Sequence, residues 1–170
     1  PGSAYRAEGG VHLAAKRPSL RKLDALTAPQ HYFPTHIMMT SRGCPWQCTF
    51  CGAETTWGRG FRGHSVPYVV DALQQALSRL SVPMIQIKDD TLSANKKRAL
   101  EIWEGIERRG VNFLWSCDTR VDVLDPELLL AMRRAGCQRL SLGVESGSDA
   151  ILKNIDKKIT AEEIIDAAEM

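Results

Sequence analysis

The chain has 170 residues, 44% hydrophobic and 25% charged, with a formal net charge of +2. That is enough chain for one domain with a real core, and its composition is that of an ordinary soluble globular protein. The small charge gives no reason to expect nucleic-acid or membrane-surface binding, and no apolar run approaches the roughly 20 residues a membrane span needs. A signal peptide is not expected, because no basic start leads into an apolar stretch. Five cysteines, three of them clustered, fit a reducing cytoplasm better than a secreted disulfide scaffold. The chain opens on Pro1-Gly2-Ser3 and stops within a helical pattern, so a fragment of a longer protein is expected.

Residues 1–35 show little periodicity and carry Pro1, Gly2, Gly9, Gly10, Pro18, Pro29 and Pro34. They read as a linker or irregular docking segment that follows a missing N-terminal domain. Residues 36–40 (His-Ile-Met-Met-Thr) are a short apolar run, a buried strand. A cysteine-rich loop follows directly. A helix is predicted from Ser65, with Pro67 in its first turn and Val66, Val69, Val70, Leu73, Leu77 and Leu80 on one stripe. Residues 84–88 read as a second strand ending in Asp89-Asp90. A helix over 95–109 turns Ala99, Ile102, Trp103 and Ile106 inward and stops at Gly110. Residues 112–116 form a third strand. Asp125-Pro126-Glu127 opens a helix that Gly136 ends. Residues 139–144 form a fourth strand, 148–155 a short helix, and Thr160 to Glu163 a capping box for the last helix.

Strands thus alternate with helices four times, at close to the length of one βα unit, and right-handed crossovers give a parallel sheet. Periodicity alone leaves open whether it closes into a barrel. Four polar clusters fall just past the predicted strand ends: Cys44 to Cys51, Asp89-Asp90, Asp118 to Arg120, and Glu145-Ser146. That edge is where parallel α/β folds gather ligands and catalytic groups.

Cys44, Cys48 and Cys51 are spaced C-x3-C-x2-C. Three thiolates on one loop can hold a four-iron cluster and leave one iron without a protein ligand, open for chemistry. Gly43 and Gly52 bracket the loop and allow close backbone approach. Arg42 is expected near the cluster, raising its potential. A zinc site using three cysteines with His36 or His64 is the competing reading, and would make the chain an interaction module. Cys117 and Cys137 read as small buried residues, His12 and His31 as surface residues, and Lys96, Lys97 and Arg98 as a solvated face.

The motif resembles the radical S-adenosylmethionine superfamily, and within it the branch whose members often carry an upstream cobalamin-binding domain. The likeness rests on Ser41 to Trp46, Cys48 to Cys51, Trp57-Gly58-Arg59 with Arg62 and Ser65, Asp89-Asp90-Thr91 with Asn95, Thr119 to Asp122, Ala135-Gly136-Cys137, and Gly143 to Gly147. It covers residues 36–170, the N-terminal part of a core domain. The implied fold is α/β, a partial (β/α) barrel with the first four βα units present and the remainder beyond residue 170. The resemblance implies that Cys44, Cys48 and Cys51 bind a 4Fe-4S cluster whose open iron takes S-adenosylmethionine. Reductive cleavage would yield a 5′-deoxyadenosyl radical for hydrogen abstraction. Cobalamin-dependent methyl transfer, with cobalamin held by a domain absent here, is the expected subclass; cyclisation or rearrangement is the alternative. A small-molecule substrate and an electron donor such as flavodoxin or ferredoxin are the implied partners.

By the same resemblance Phe50 lies against the adenine, and Asp89 and Asp90 stand where many members have a Gly-Gly-Glu run for the substrate's amino group. Asp90 capping the turn before Thr91 is the structural alternative. Arg120 would meet the S-adenosylmethionine carboxylate, and Glu145 or Ser146 the ribose hydroxyls or amino group. Alternatively, Arg120 and Glu145 pair with each other. Asp122 and Asp125 read as turn and cap residues.

Overall fold

The computed structural model describes residues 2–15 and 18–170. Pro1, part of the segment read as irregular, lies outside the described residues. That segment begins with an antiparallel hairpin, β1 (Ala4–Ala7) and β2 (Gly10–Leu13), exposed throughout. The hairpin is not apparent from periodicity because neither face is buried. Two 3-10 turns at Leu23–Ala25 and Pro29–His31 then dock the segment on the domain. Leu23 is buried, the Tyr68 hydroxyl donates to the Leu26 carbonyl (2.8 Å), and Arg79 donates to the His31 carbonyl (2.6 Å).

The next elements are β3 (Ile37–Met38), β4 (Ser41–Arg42), α1 (Ala53–Trp57), β5 (Arg62–Gly63) and α2 (Val66–Leu77). After them come β6 (Met84–Ile87), α3 (Lys96–Arg108), β7 (Leu114–Thr119), α4 (Pro126–Arg134), β8 (Cys137–Leu142), α5 (Asp149–Asn154) and α6 (Ala161–Glu169). The caps predicted at Ser65, Asp125 and Thr160 are made, and Asn95 caps α3 as well. Ser65, Asn95 and Asp125 accept from the backbone N–H groups of Tyr68, Arg98 and Leu128, and Thr160 with Glu163 closes a capping box.

The main sheet has the order β3-β6-β7-β8, all parallel. Each crossover therefore reaches the adjacent strand. The α2, α3 and α4 side chains join the sheet in one core, in which Val69, Leu73, Ile102, Trp103, Leu128 and Met132 pack with Ile85, Ile87, Trp115 and Cys117. Sequential order with helices on one face is the start of a (β/α) barrel; a doubly wound sheet reverses direction and is covered on both faces. Full burial contributes about 1.5–3 kcal/mol for each large side chain.

Along β7 burial alternates: Trp115, Cys117 and Thr119 point into the helix layer, while Ser116 and Asp118 occupy the other face. Pairing places Gln86, Ser116 and Arg139 in one row on that open face, and Asp118 beside Ser141 in the next. The third strand was expected to end at residue 116. It continues to Thr119, because Asp118 points to the open side and Thr119 into the helix layer, and both stay paired with β8. The fourth strand starts at Cys137, two residues before the expected position, since Gly136 leads straight from α4 into β8.

Candidate functional site

The cysteine loop leaves the sheet at the C-terminal edge. Asp89, at the end of β6, fixes the take-off point. Its carboxylate is buried and accepts from four donors: the Thr40 and Ser41 backbone N–H groups (2.6 and 3.0 Å) and their hydroxyls (2.5 and 2.7 Å). Burial pushes the Asp89 pKa up, against the pull of those bonds. Arg98 braces the same turn from α3, donating to the Thr40 carbonyl (2.7 Å) and the His64 carbonyl (2.9 Å). Arg98 is therefore an internal clamp rather than part of the solvated face expected for it.

Beyond the turn, the Gly43 N–H donates to Asp90 Oδ2 (2.9 Å). Gly43 has φ of +83°, and a Cβ there would collide with the Gly60 carbonyl oxygen. The glycine is thus required by the neighbouring β5 hairpin. Arg42 stacks over Trp57, 5.1 Å from the ring centroid, and the Sγ contact seen in this loop comes from a different arginine.

That arginine is Arg120, just past β7 and only 4% exposed. Its fork is held by Asp122 (2.8 and 2.9 Å), one Nη donates to the Lys157 carbonyl (2.6 Å), and the guanidinium lies 4.6 Å from the Trp46 ring centroid. The other Nη donates to Cys48 Sγ at 3.5 Å. Burial works to lower the Arg120 pKa, but the bond and charge of Asp122, with Cys48 alongside, carry it above its ordinary value. The alternative of an Arg120–Glu145 bridge is not what forms, because Asp122 lies two residues away and offers both carboxylate oxygens. Glu145 pairs instead with Lys157 Nζ (3.0 Å).

Cys44, Cys48 and Cys51 line one cavity of about 280 Å³ together with Phe50, Asp90, Arg120, Glu145 and Lys157. Phe50 sits at its rim, 53% exposed, with Lys157 Nζ 5.8 Å from the ring centroid. Two residues expected here lie elsewhere. Asp89 is turned into the β3–β4 turn, and the Ser146 hydroxyl accepts from the Ser148 N–H (3.1 Å) at the start of α5. Lys157 is the residue that sequence reasoning missed. It is one of many lysines, and its burial arises only because the α5–α6 connection folds back over the cleft. Gly143 makes room for it: a Cβ there would lie 2.9 Å from Lys157 Nζ. Glu145 itself has φ of +64°, an uncommon conformation for a residue other than glycine. A larger cleft of about 520 Å³ lies at the opposite end of the sheet, around Phe113 and Gly136, without a cysteine.

Among the described residues, no three His, Cys, Asp or Glu side chains converge on a single metal ion. The zinc reading fails on its fourth ligand as well. His36 Nδ1 lies 2.8 Å from the Met84 carbonyl, at the start of β6, and buried His64 stacks on Tyr68 and contacts Asp24 (3.2 Å). A four-iron cluster suits the loop better, because it presents a separate iron to each of three thiolates and needs no common point.

The sequence of residues 38–170 matches the family model of the radical SAM superfamily. The chain belongs to that superfamily. It is 33% identical to an uncharacterized methyltransferase of Pyrococcus horikoshii, over 98% of this chain and 39% of that protein. It is 30% identical to the anaerobic magnesium-protoporphyrin IX monomethyl ester cyclase of Rubrivivax gelatinosus, over 95% of this chain and 32% of the cyclase. Among solved structures it resembles the cobalamin-dependent S-adenosylmethionine radical enzyme OxsB with aqua-cobalamin and S-adenosylmethionine bound. There the TM-score is 0.69 and the identity 27%, over 77% of this chain and 21% of OxsB. The chain thus spans well under half the length of the relatives it matches. No helix among the described residues is long and apolar enough to cross a membrane.

Proposed function

We propose that this chain is the S-adenosylmethionine-activating part of a cobalamin-dependent radical methyltransferase. The observation that carries the reading is that Cys44, Cys48 and Cys51 share one cavity with the buried Lys157 ammonium and the exposed Glu145 carboxylate it pairs with, just past β8. The three thiolates would hold a 4Fe-4S cluster, whose chemistry when bound is one-electron reductive cleavage of S-adenosylmethionine to methionine and a 5′-deoxyadenosyl radical. Lys157 and Glu145 are the complement of an amino acid's carboxylate and ammonium, and Phe50 offers a face to the adenine. Asp90 fixes the cysteine loop through Gly43 and faces the same cavity, where its carboxylate can take the substrate's amino group. Arg120 holds the loop rather than the ligand's carboxylate.

Methyl transfer is favoured by the methyltransferase name of the Pyrococcus relative and by the cobalamin in OxsB. Cobalamin would be held outside these 170 residues. The cyclase relative supports ring closure without methyl transfer as the second reading. The polar row of Gln86, Ser116 and Arg139 on the open face suits a small molecule bearing oxygen or nitrogen groups. A reducing cytoplasm and a one-electron donor of the flavodoxin or ferredoxin kind complete the reading.

Anaerobic reconstitution with iron and sulfide tests it. The expected product is brown, with absorbance near ~400 nm that fades on reduction. Cys48→Ala should lose the cluster and all deoxyadenosine release. A colourless protein retaining stoichiometric zinc would overturn the assignment. Lys157→Met should keep the cluster but weaken S-adenosylmethionine binding about tenfold or more, the loss of one charge-assisted hydrogen bond of roughly 1.5–3 kcal/mol. Unchanged affinity in equilibrium dialysis would remove Lys157 from the site.

A further inference from the structure

We propose that Arg120 is a positioning residue that sets the reduction potential of the cluster by hydrogen bonding to Cys48, an inference resting on the reading of Cys44, Cys48 and Cys51 as its ligands. Hydrogen bonds to the sulfurs are one of the levers that tune iron–sulfur potentials, because a thiolate that shares its electron density with an N–H group donates less to iron. Arg120 Nη1 is 3.5 Å from Cys48 Sγ. The rest of the guanidinium has little freedom to leave: Asp122 takes two N–H groups, the Lys157 carbonyl a third, and the Trp46 ring covers one face. With the side chain 5% exposed, water does not compete for the remaining donor.

The arrangement separates net charge from local dipole. Asp122 cancels the guanidinium's charge at 2.8 Å, so what reaches Cys48 is chiefly one oriented N–H. Lysine cannot reproduce this, because an ammonium lacks the planar fork that serves Asp122, Lys157 and Cys48 together. Arg42, the nearest arginine in sequence to Cys44, is committed to Trp57 and does not supply the bond.

The reconstituted holoprotein is titrated anaerobically with dithionite through mediators, and the reduced cluster is followed by electron paramagnetic resonance. The reductant gives one electron to each cluster, and no bond breaks. In Arg120→Gln the reduction equilibrium should fall about tenfold, a one-electron shift of about 59 mV to more negative potential. Arg120→Lys should move it in the same direction by less. In the wild type grown with ¹⁵N-arginine, pulsed resonance should show ¹⁵N coupling to the reduced cluster. A merely structural role would alter iron loading without moving the potential of the clusters that form. An unshifted potential in iron-replete Arg120→Gln overturns the proposal. If neither Arg120 variant retains iron, the labelled wild type decides, and absence of ¹⁵N coupling overturns it. A wild type that takes up no iron, or a Cys48→Ala variant that keeps its full complement, removes the cysteine assignment instead, and this proposal with it.

Discussion

Asp89 and Asp90 are adjacent carboxylates with different work. Asp89 is consumed by the Thr40–Ser41 turn, whereas Asp90 stands at the cleft holding Gly43. Asp89→Asn turns an amide N–H toward donors that need an acceptor, leaving buried groups unpaired. The expected cost is about 2–3 kcal/mol, seen as a lower urea midpoint. A variant of wild-type stability would show that the turn does not depend on that carboxylate. His64 gives a pH prediction. Burial lowers its pKa below 6.5, with Arg42 and Arg98 adding to the effect and Asp24 opposing it. The folded state therefore binds this proton less readily than the unfolded chain. Its contribution is complete above about pH 6.5 and is lost as pH falls through the lowered value. Urea midpoints should fall between pH 7.5 and pH 5, and His64→Gln should flatten that fall. The cysteines stand out in sequence because their spacing is rare. Lys157 does not, because its burial depends on a loop that closes only in the fold.

Elements with an apolar stripe and a cap, such as α2, α3 and α4, are legible in the sequence because one local pattern specifies each. Strand ends are less so. Asp118 and Thr119 look like loop residues, yet they complete β7, since one faces the open side and the other bonds Ser93 beneath the cleft. The β1–β2 hairpin leaves no alternation to read, being exposed on both faces. The two core tryptophans stack at 4.2 Å between α3 and β7, but their indole N–H groups differ. Trp115 Nε1 donates to the Ala135 carbonyl at the end of α4 (2.8 Å). Trp103 Nε1 has no acceptor among the described residues. Trp115→Phe therefore strands a buried carbonyl, while Trp103→Phe removes an unpaired donor. Both lose similar packing area. Trp115→Phe should be the less stable of the two by about 1–2 kcal/mol in denaturant titration, and equal losses would mean that the Ala135 bond contributes nothing.

Across the molecule, stability and chemistry occupy different places. The helix layer buries the large apolar side chains, whereas the cysteines sit half-exposed or exposed in a loop at one edge. Cys51→Ala, at the exposed cysteine, should accordingly leave the stability of the metal-free protein within about 0.5 kcal/mol of wild type. The sheet itself is asymmetric. β7 is paired on both sides, but among the described residues β8 pairs only with β7. Half the backbone groups of β8 thus face away from the ladder, and an unpaired edge is a site of opening and association. The relatives are far longer than this chain, and a (β/α) barrel would continue with a strand beside β8. Hydrogen exchange can test that continuation. In the 170-residue chain, alternate β8 amides should exchange fast while β7 exchanges slowly. In the longer protein the same β8 amides should slow by orders of magnitude, because pairing would then close their bonds on both sides. Fast exchange of those amides in both would mean that the sheet stops at β8, and that the cavity above it is closed by something other than further strands of a barrel.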